Sequence, residues 1–324
     1  ETKVIDTFEY QEAIEEEEEL AAVEEPEATQ EPETQEPVAE TPAPVDTPKE
    51  PETPAAPVEQ KAVNDGNSFS IFISGIDTYG AINTVSRSDV NMVMTVNTKT
   101  NEILLTSIPR DYYVTLHSYG VKDKFTHAGI YGIRESLRTA EDFLNIDIEY
   151  YVRVNFTSLI NIVDALGGIS IYNGIAFSNR GFSFPVGQIN MGGAQALVYA
   201  RERYAYANGD NQRIKNQQTI LAGILNKAMS PAILTNYDSM LNVVMRSCQT
   251  SVPTGVVTSI IKEQLNSGKS WHIRHQYLSG SGSYSTRTYS MPGWNLYVMI
   301  PNKSSISSAR SNINLVVTGK TPNL

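Results

Sequence analysis

A break in composition near residue 60 limits how this chain can fold more than any other feature. No glycine precedes it, although the chain has 21, while nine of the 16 prolines do. Residues 1–60 carry 20 Asp/Glu against two Lys, a net charge of −18. Residues 61–324 carry 16 Asp/Glu against 23 Lys/Arg, a net of +7. Residues 11–60 are nearly all Glu, Pro, Thr, Ala, Gln and Val. Such a stretch buries too little apolar surface to offset its ordering entropy, and its like charges repel. The expectation is a disordered, acidic Glu/Pro-rich linker over 1–62 and one folded domain over 63–324. A helix around 12–27 is the competing reading, since Glu and Ala favour helices, but i,i+4 like charges oppose it. A linker of this length and a first residue other than Met lead us to expect a fragment or a processed form.

The body is long enough for a sizeable core. Its longest apolar runs, such as 71–76, are strand-sized and well short of the roughly 18 residues of a membrane span. A single cysteine, Cys248, leaves no internal disulfide and no multi-Cys metal site. Its bland reading is a core residue. The positive charge is spread without a Lys/Arg-rich run, so no nucleic-acid partner is expected, and a local anionic site fits better.

Apolar patterning predicts strands at 70–76, 89–96 and 102–108, the last two joined by a turn at 97–101. It predicts a helix over 124–144, a strand at 150–154 and a helix over 156–166 stopped by Gly167 and Gly168. A short strand at 169–172 follows, then a segment helical at its start over 192–204. The clearest helix spans 210–229, with further helices over 234–245 and 253–265. A strand at 271–276, a Ser/Gly/Tyr-rich loop over 277–292, a strand at 295–300 and a helix over 303–315 complete the chain. Strands and helices alternate throughout, which makes the class α/β. Strand order does not follow from the pattern.

Charged residues gather at the ends of these elements. Asp77 ends the first strand, Arg87 and Asp89 open the second, and Arg110 ends the third. If the three strands are neighbours, their ends bring these four residues together, where ligands of open α/β sheets bind. Carboxylates suit a hard divalent cation, and arginines suit phosphoryl oxygens. The bland alternative for each is an Asp-capped turn with a local ion pair. A second group lies at 201–218. Arg201 and Arg203 share a site most easily if the chain is extended there. Asp210, Arg213 and Gln217 fall on one face of the long helix, whose free N–H groups favour an anion. Lys215 and Gln218 are read as solvated. Lys124 is within reach of an anion, and His127 is either a base or a helix-start hydrogen-bonding residue. His117, His272 and His275 lack metal-ligand spacing. Ser74 is not in a nucleophile elbow, and the glycines of 167–174 form no phosphate-binding loop. The 277–292 loop, polar and Tyr-rich, is read either as a glycan contact or as a solvated connection.

As a set, GIDTYG (75–80), RSDVNMVMTV (87–96), SIPRD (107–111), VNFTSLINIVDALGGI (154–169), NMGGAQALVYARER (190–203) and GDNQRIKNQQ (209–218) resemble the LytR–CpsA–Psr family of Gram-positive cell-wall proteins. The resemblance implies an αβα sandwich with a central mixed sheet flanked by helices, making 63–324 a LytR–CpsA–Psr catalytic domain. It implies a domain at the extracytoplasmic face of the membrane, anchored by an N-terminal helix that this chain does not contain. It also implies an apolar pocket for a polyprenyl chain and transfer of a glycan polymer from its polyprenyl pyrophosphate carrier to peptidoglycan. Teichoic acid, capsule and other wall polysaccharides are all candidate polymers. By position, Asp77 and Asp89 match the magnesium-associated aspartates. Arg87, Arg110, Arg201, Arg203, Arg213 and Gln217 match the pyrophosphate contacts, and Asp210 matches the acidic residue that orients them.

Catalysis is expected from Asp89, Arg110, Arg203 and Asp210, with Mg2+ as cofactor. Asp89 and Asp210 both remain candidates for the proton acceptor. Attack at phosphorus, leaving a phosphodiester link, is the expected course. A pyrophosphatase acting on the same lipid and a non-catalytic lipid- or wall-binding module are the alternatives the residues leave open.

Overall fold

Three strands of alternating facing make the centre of the fold. β1 (Ser68–Ile76), β2 (Ser88–Asn97) and β3 (Glu102–Ile108) pair antiparallel in sequence order. The tight link between β2 and β3 is held by Asn97, whose Oδ1 accepts from the backbone N–H of Lys99 and Thr100, both at 3.1 Å. Such an Asx arrangement mimics a backbone turn. The computed structural model describes residues 66–206, 209–234 and 237–324, the side chains of 209–211 and 234 excepted. The linker expected over 1–62 and its competing helix lie outside these residues.

A hairpin of β4 (Tyr113–Thr115) and β5 (Lys122–Lys124) follows, then a 3-10 helix (Phe125–Tyr131) and α1 (Ile133–Leu144). Next come β6 (Tyr150–Val154), α2 (Phe156–Ala165), β7 (Ile169–Asn173), β8 (Phe177–Asn179), β9 (Phe182–Phe184) and β10 (Gly187–Met191). The helices α3 (Gly193–Arg201), α4 (Gly209–Ala228), α5 (Pro231–Leu234) and α6 (Tyr237–Ser247) lead to β11 (Gln249–Thr250) and α7 (Thr254–Ser267). The chain closes with β12 (His272–Tyr277), β13 (Gly280–Ser285), β14 (Leu296–Pro301) and α8 (Lys303–Val317).

The main sheet has the order β11-β6-β1-β2-β3-β12. It is mixed, because β1 pairs parallel with β6 and β3 parallel with β12. β1, β3, β6 and β12 therefore run the same way and end along one edge. On one face Phe72, Val93, Leu104 and Ile108 pack with Ile133, Leu137 and Leu144 of α1 and Ile313 and Val316 of α8. On the other, Met92, Val96, Ile103 and Leu105 meet Leu221 and Leu225 of α4. Period-two alternation along β2 and β3 splits their residues between the two cores. The result is the expected αβα arrangement.

Three expectations need correction. The helix expected over 124–144 is two helices, parted at Gly132, whose φ of 103° is open to glycine but not to side-chain-bearing residues. The loop expected over 277–292 contains β13, whose Ser/Gly alternation hides the strand period until β14 pairs with it. Residues 177–191 form three short strands that the apolar pattern did not announce. The helix expected over 234–245 corresponds to α6, with 235–236 outside the described residues.

Two of the motifs serve as joints. Asn155 caps α2 by accepting from Ser158 N at 2.9 Å, and its amide donates to Gly80 O at 3.0 Å. Thr157 Oγ1 accepts from Gly80 N at 3.0 Å, so the start of α2 grips the turn after β1. At the other end of α2, Asp164 Oδ1 accepts from Gly193 N at 2.7 Å at the start of α3. There the helices approach so closely that a Cβ on residue 193 would lie 2.5 Å from Ile160 O. Gly193→Ala is therefore expected to destabilise the domain by about 1–3 kcal/mol, because backbone rather than a flexible side chain must move. Urea unfolding of the two proteins measures this difference.

Candidate active site

The edge where β1, β3, β6 and β12 end collects the charged residues. β1 delivers Asp77 one residue past its end. β2, running the other way, starts there and places Asp89 beside it. β3 ends in Pro109, Arg110 and Asp111. Ser74 and Ser88 tie β1 to β2 at this edge through a buried 2.7 Å hydroxyl pair. Arg110 Nη1 lies 3.0 Å from Asp89 Oδ2, and Thr126 Oγ1 donates to Asp89 Oδ1 at 2.9 Å. Asp111 receives Lys124 Nζ at 2.5 Å and Arg110 Nε at 3.6 Å. A small cleft opens here, lined by Asp89, Asn91, Ser107, Arg110, Arg213 and Gln217 among others.

Arg201, the last residue of α3, lies with Nη2 3.8 Å from Asp77 Oδ1. Its guanidinium also sits over the Phe156 ring, 4.3 Å from the centroid. Glu202 then leaves the helix with extended backbone. Arg203 is exposed and stacks on Tyr204, its centroid distance 4.6 Å, with a hydrogen bond to the Tyr204 hydroxyl. Arg87 is exposed just ahead of β2. Among the described residues, neither Arg87 nor Arg203 contacts Asp77 or Asp89. Asp210 falls in the first turn of α4, and its side chain is outside the described residues. The geometry thus gathers Asp77, Asp89, Arg110, Arg201, Arg213 and Gln217 and leaves Arg87 and Arg203 at the surface.

Crowding by protein holds the Asp77 carboxyl above its ordinary range, although its side chain is 41% exposed on the open side. The positive charge of Arg201 opposes this, the negative charge of Asp89 adds to it, and Arg110 and Arg213 oppose it. A carboxyl raised by burial and by the negative charge of a second carboxylate suits a cation between the two. Magnesium is commonly held by one or two carboxylates, with water and phosphate oxygens completing its shell. The described residues hold no group of three or more His, Cys, Asp or Glu side chains able to take a metal. An all-oxygen pair is thus the donor set on offer, and it fits magnesium bound together with a phosphate-bearing substrate.

Several supporting residues escaped the sequence reading. Asp111 and Thr126 fix Arg110 and Asp89 in place. Arg153 on β6 is buried and donates to Ile82 O at 3.2 Å and Thr84 O at 2.9 Å. It thereby pins the loop that leads to Arg87, and burial lowers its pKa. A lone charge inside an apolar strand was its only signal. Gln218, read as solvated, is 2% exposed and donates to Ser107 Oγ and Gln276 O, both at 2.9 Å. The reason is that α4 lies against the sheet over more than one narrow stripe. Lys215 is exposed, as expected, over the Tyr277 ring. His127 is buried, with Nδ1 2.6 Å from Asp123 Oδ1, away from the cleft. Cys248 is buried too, and burial pushes its thiol up to about 11. Among the described residues no helix is long and apolar enough to cross a membrane.

The LytR_cpsA_psr family model matches residues 35–304, which include the whole mixed αβα sheet and the aspartates and arginines at its strand ends. The chain belongs to the LytR–CpsA–Psr family and is a transferase of that family. The polyisoprenyl-teichoic acid–peptidoglycan teichoic acid transferase TagU of Bacillus subtilis strain 168 is 33% identical over 226 residues, 69% of this chain and 72% of that one. The Enterococcus faecalis protein of the same name is 35% identical over 227 residues, 69% of this chain and 74% of that one. The crystal structure of B. subtilis TagU superposes with a TM-score of 0.60 at 30% identity, covering 78% of this chain and 97% of that one.

The raised Asp77 pKa has a thermal signature. Above the folded-state pKa the charged form costs stability, and below the ordinary value of 3.8 that cost is gone. Asp77→Asn is therefore expected to melt above the wild type at pH 7 and to lose its advantage as the pH falls through the raised folded-state value towards 3.8. Melting curves of both proteins across that range check the sign.

Proposed function

We propose that this protein transfers a wall glycan polymer from a polyprenyl pyrophosphate carrier to a hydroxyl of peptidoglycan, at the extracytoplasmic face of the membrane. The observation that carries the reading is the cleft at the strand ends, where Arg110, Arg213 and Gln217 face one another beside Asp89. Three donors around one small opening suit a doubly charged phosphate group, and arginine's forked geometry suits its oxygens. The names of the relatives support a lipid-linked teichoic acid as the donor class.

The lipid chain follows the apolar layer under α4. Leu221, Leu225, Trp271, Ile273 and Met94 are only partly buried there, against the fully buried Met92 and Ile103. A partly exposed apolar layer along the same helix that lines the cleft is the arrangement an amphiphilic donor needs.

In the reaction, Arg110 and Arg213 hold the pyrophosphate oxygens and balance the charge that grows as the bridging bond lengthens. Arg201 shares this role from the Asp77 side. The acceptor oxygen bonds to the phosphorus next to the glycan, and that phosphorus parts from the bridging oxygen. Polyprenyl phosphate leaves, and the glycan is joined through a phosphodiester. The hydroxyl proton passes to a carboxylate at the rim, and Asp89 is the one that lines the cleft. Asp77 and Asp89 would hold Mg2+, which when bound supplies further charge neutralisation at the phosphates.

The test mixes the full chain with a labelled oligosaccharide on polyprenyl pyrophosphate, magnesium and peptidoglycan fragments. Label is expected on peptidoglycan, lost with EDTA and reduced about 100-fold or more in Arg213→Ala. Label released only as free phosphoglycan would replace transfer by hydrolysis. A direct glycosidic bond in the product would refute attack at phosphorus.

A further inference from the structure

The segment 277–301 holds five exposed rings: Tyr277, Tyr284, Tyr289, Trp294 and Tyr297. Its only charged residue is Arg287, and β13 (GSGSYS) and β14 (LYVMIP) carry none. Grouped exposed rings on an otherwise polar domain mark a contact surface.

The register gives the rings a shape. Tyr284 lies directly across from Tyr297, with centroids 5.9 Å apart and planes at 81°. Gly282, two residues before Tyr284, shares its face of the ribbon. A Cβ on residue 282 would sit 3.0 Å from the Tyr297 ring, so this ring lies down over the glycine. Tyr297 is accordingly 41% exposed, while Tyr284 stands out at 68%. One ring is a floor and the other a wall.

This notch suits a sugar. One face of a pyranose presents C–H groups with slight positive charge, which stack on the electron-rich face of an aromatic ring. Its hydroxyl rim can meet the tyrosine hydroxyls. An anionic lipid surface would call for lysines and arginines, which the two strands lack.

The ribbon is also tied to the cleft. Met299 N donates to Asp111 O at 2.7 Å, next to Arg110, and Leu278 N donates to Ser107 O at 3.1 Å. Ser107 lines the cleft itself. Tyr297 is two residues from Met299, about 7 Å along the strand. We propose that Tyr284 and Tyr297, the latter seated over Gly282, bind the glycan strand of the acceptor while a neighbouring sugar's hydroxyl enters the cleft. The identity of that acceptor rests on the transfer reading above.

Two experiments on the full chain separate the surface from that reading. The first measures binding of a soluble peptidoglycan tetrasaccharide, without any donor, to the wild type, to the double variant Tyr284→Ala/Tyr297→Ala and to Tyr297→Phe. Binding is expected to weaken about tenfold or more in the double variant and to persist in Tyr297→Phe, which keeps the ring face. The second follows transfer at saturating donor while acceptor concentration varies. The acceptor KM is expected to rise by a similar factor, with kcat and the donor KM within twofold of wild type. Melting temperatures establish that each variant is folded. Unchanged tetrasaccharide binding in a folded double variant overturns the proposal even if transfer is intact. Weakened binding supports it even if wild-type transfer fails and the reaction assignment falls. Ring-dependent binding to phospholipid vesicles, with none to the tetrasaccharide, assigns the surface to the membrane and also overturns it.

Discussion

Unfavourable charge at one edge of the sheet is the constraint around which the domain is arranged. Asp77 and Asp89 are held near each other by strands that end and begin at the same place. Each is met by an arginine, yet burial still pushes the Asp77 carboxyl above its ordinary range. A fold selected for stability alone would separate or neutralise such a pair. Here much of the surrounding structure keeps them together. The Ser74–Ser88 hydroxyl pair locks β1 to β2, Thr126 holds one oxygen of Asp89, and Lys124 and Asp111 brace Arg110.

The motifs that mark the family divide into two physical kinds. Asp89, Arg110, Arg213 and Gln217 face the cleft. Asn155, Thr157 and Asp164 face other backbone segments and bind the turn after β1 and the start of α3 to the two ends of α2. A motif can thus persist because it places a reactive residue from a distance. Arg153 acts similarly without belonging to a charged motif, by pinning the carbonyls of Ile82 and Thr84.

Much of this was legible because the informative patterns are local. β1, β2 and β3 follow from apolar runs, and their polar ends point to a shared edge once the strands are taken as neighbours. The long helix was visible from its apolar stripe, but its second buried side was not, so Gln218 was misplaced. Glycine deceived in two ways. At Gly132 a positive φ cut a helix whose apolar spacing continued across it. In β13 the small residues concealed a strand whose existence depends on pairing with a partner that begins 11 residues later. The bracing roles of Asp111, Thr126 and Arg153 depend on contacts between distant segments, which spacing along a chain does not report.

The one cysteine has a practical consequence. Cys248 is shielded by packing, and its thiol loses its proton only near pH 11. At neutral pH it is therefore chemically quiet. A cysteine introduced on the ribbon and another on α4 would carry spectroscopic labels against a silent background. The separation of this surface from the helix beside its cleft could then be measured as a distance, one molecule at a time.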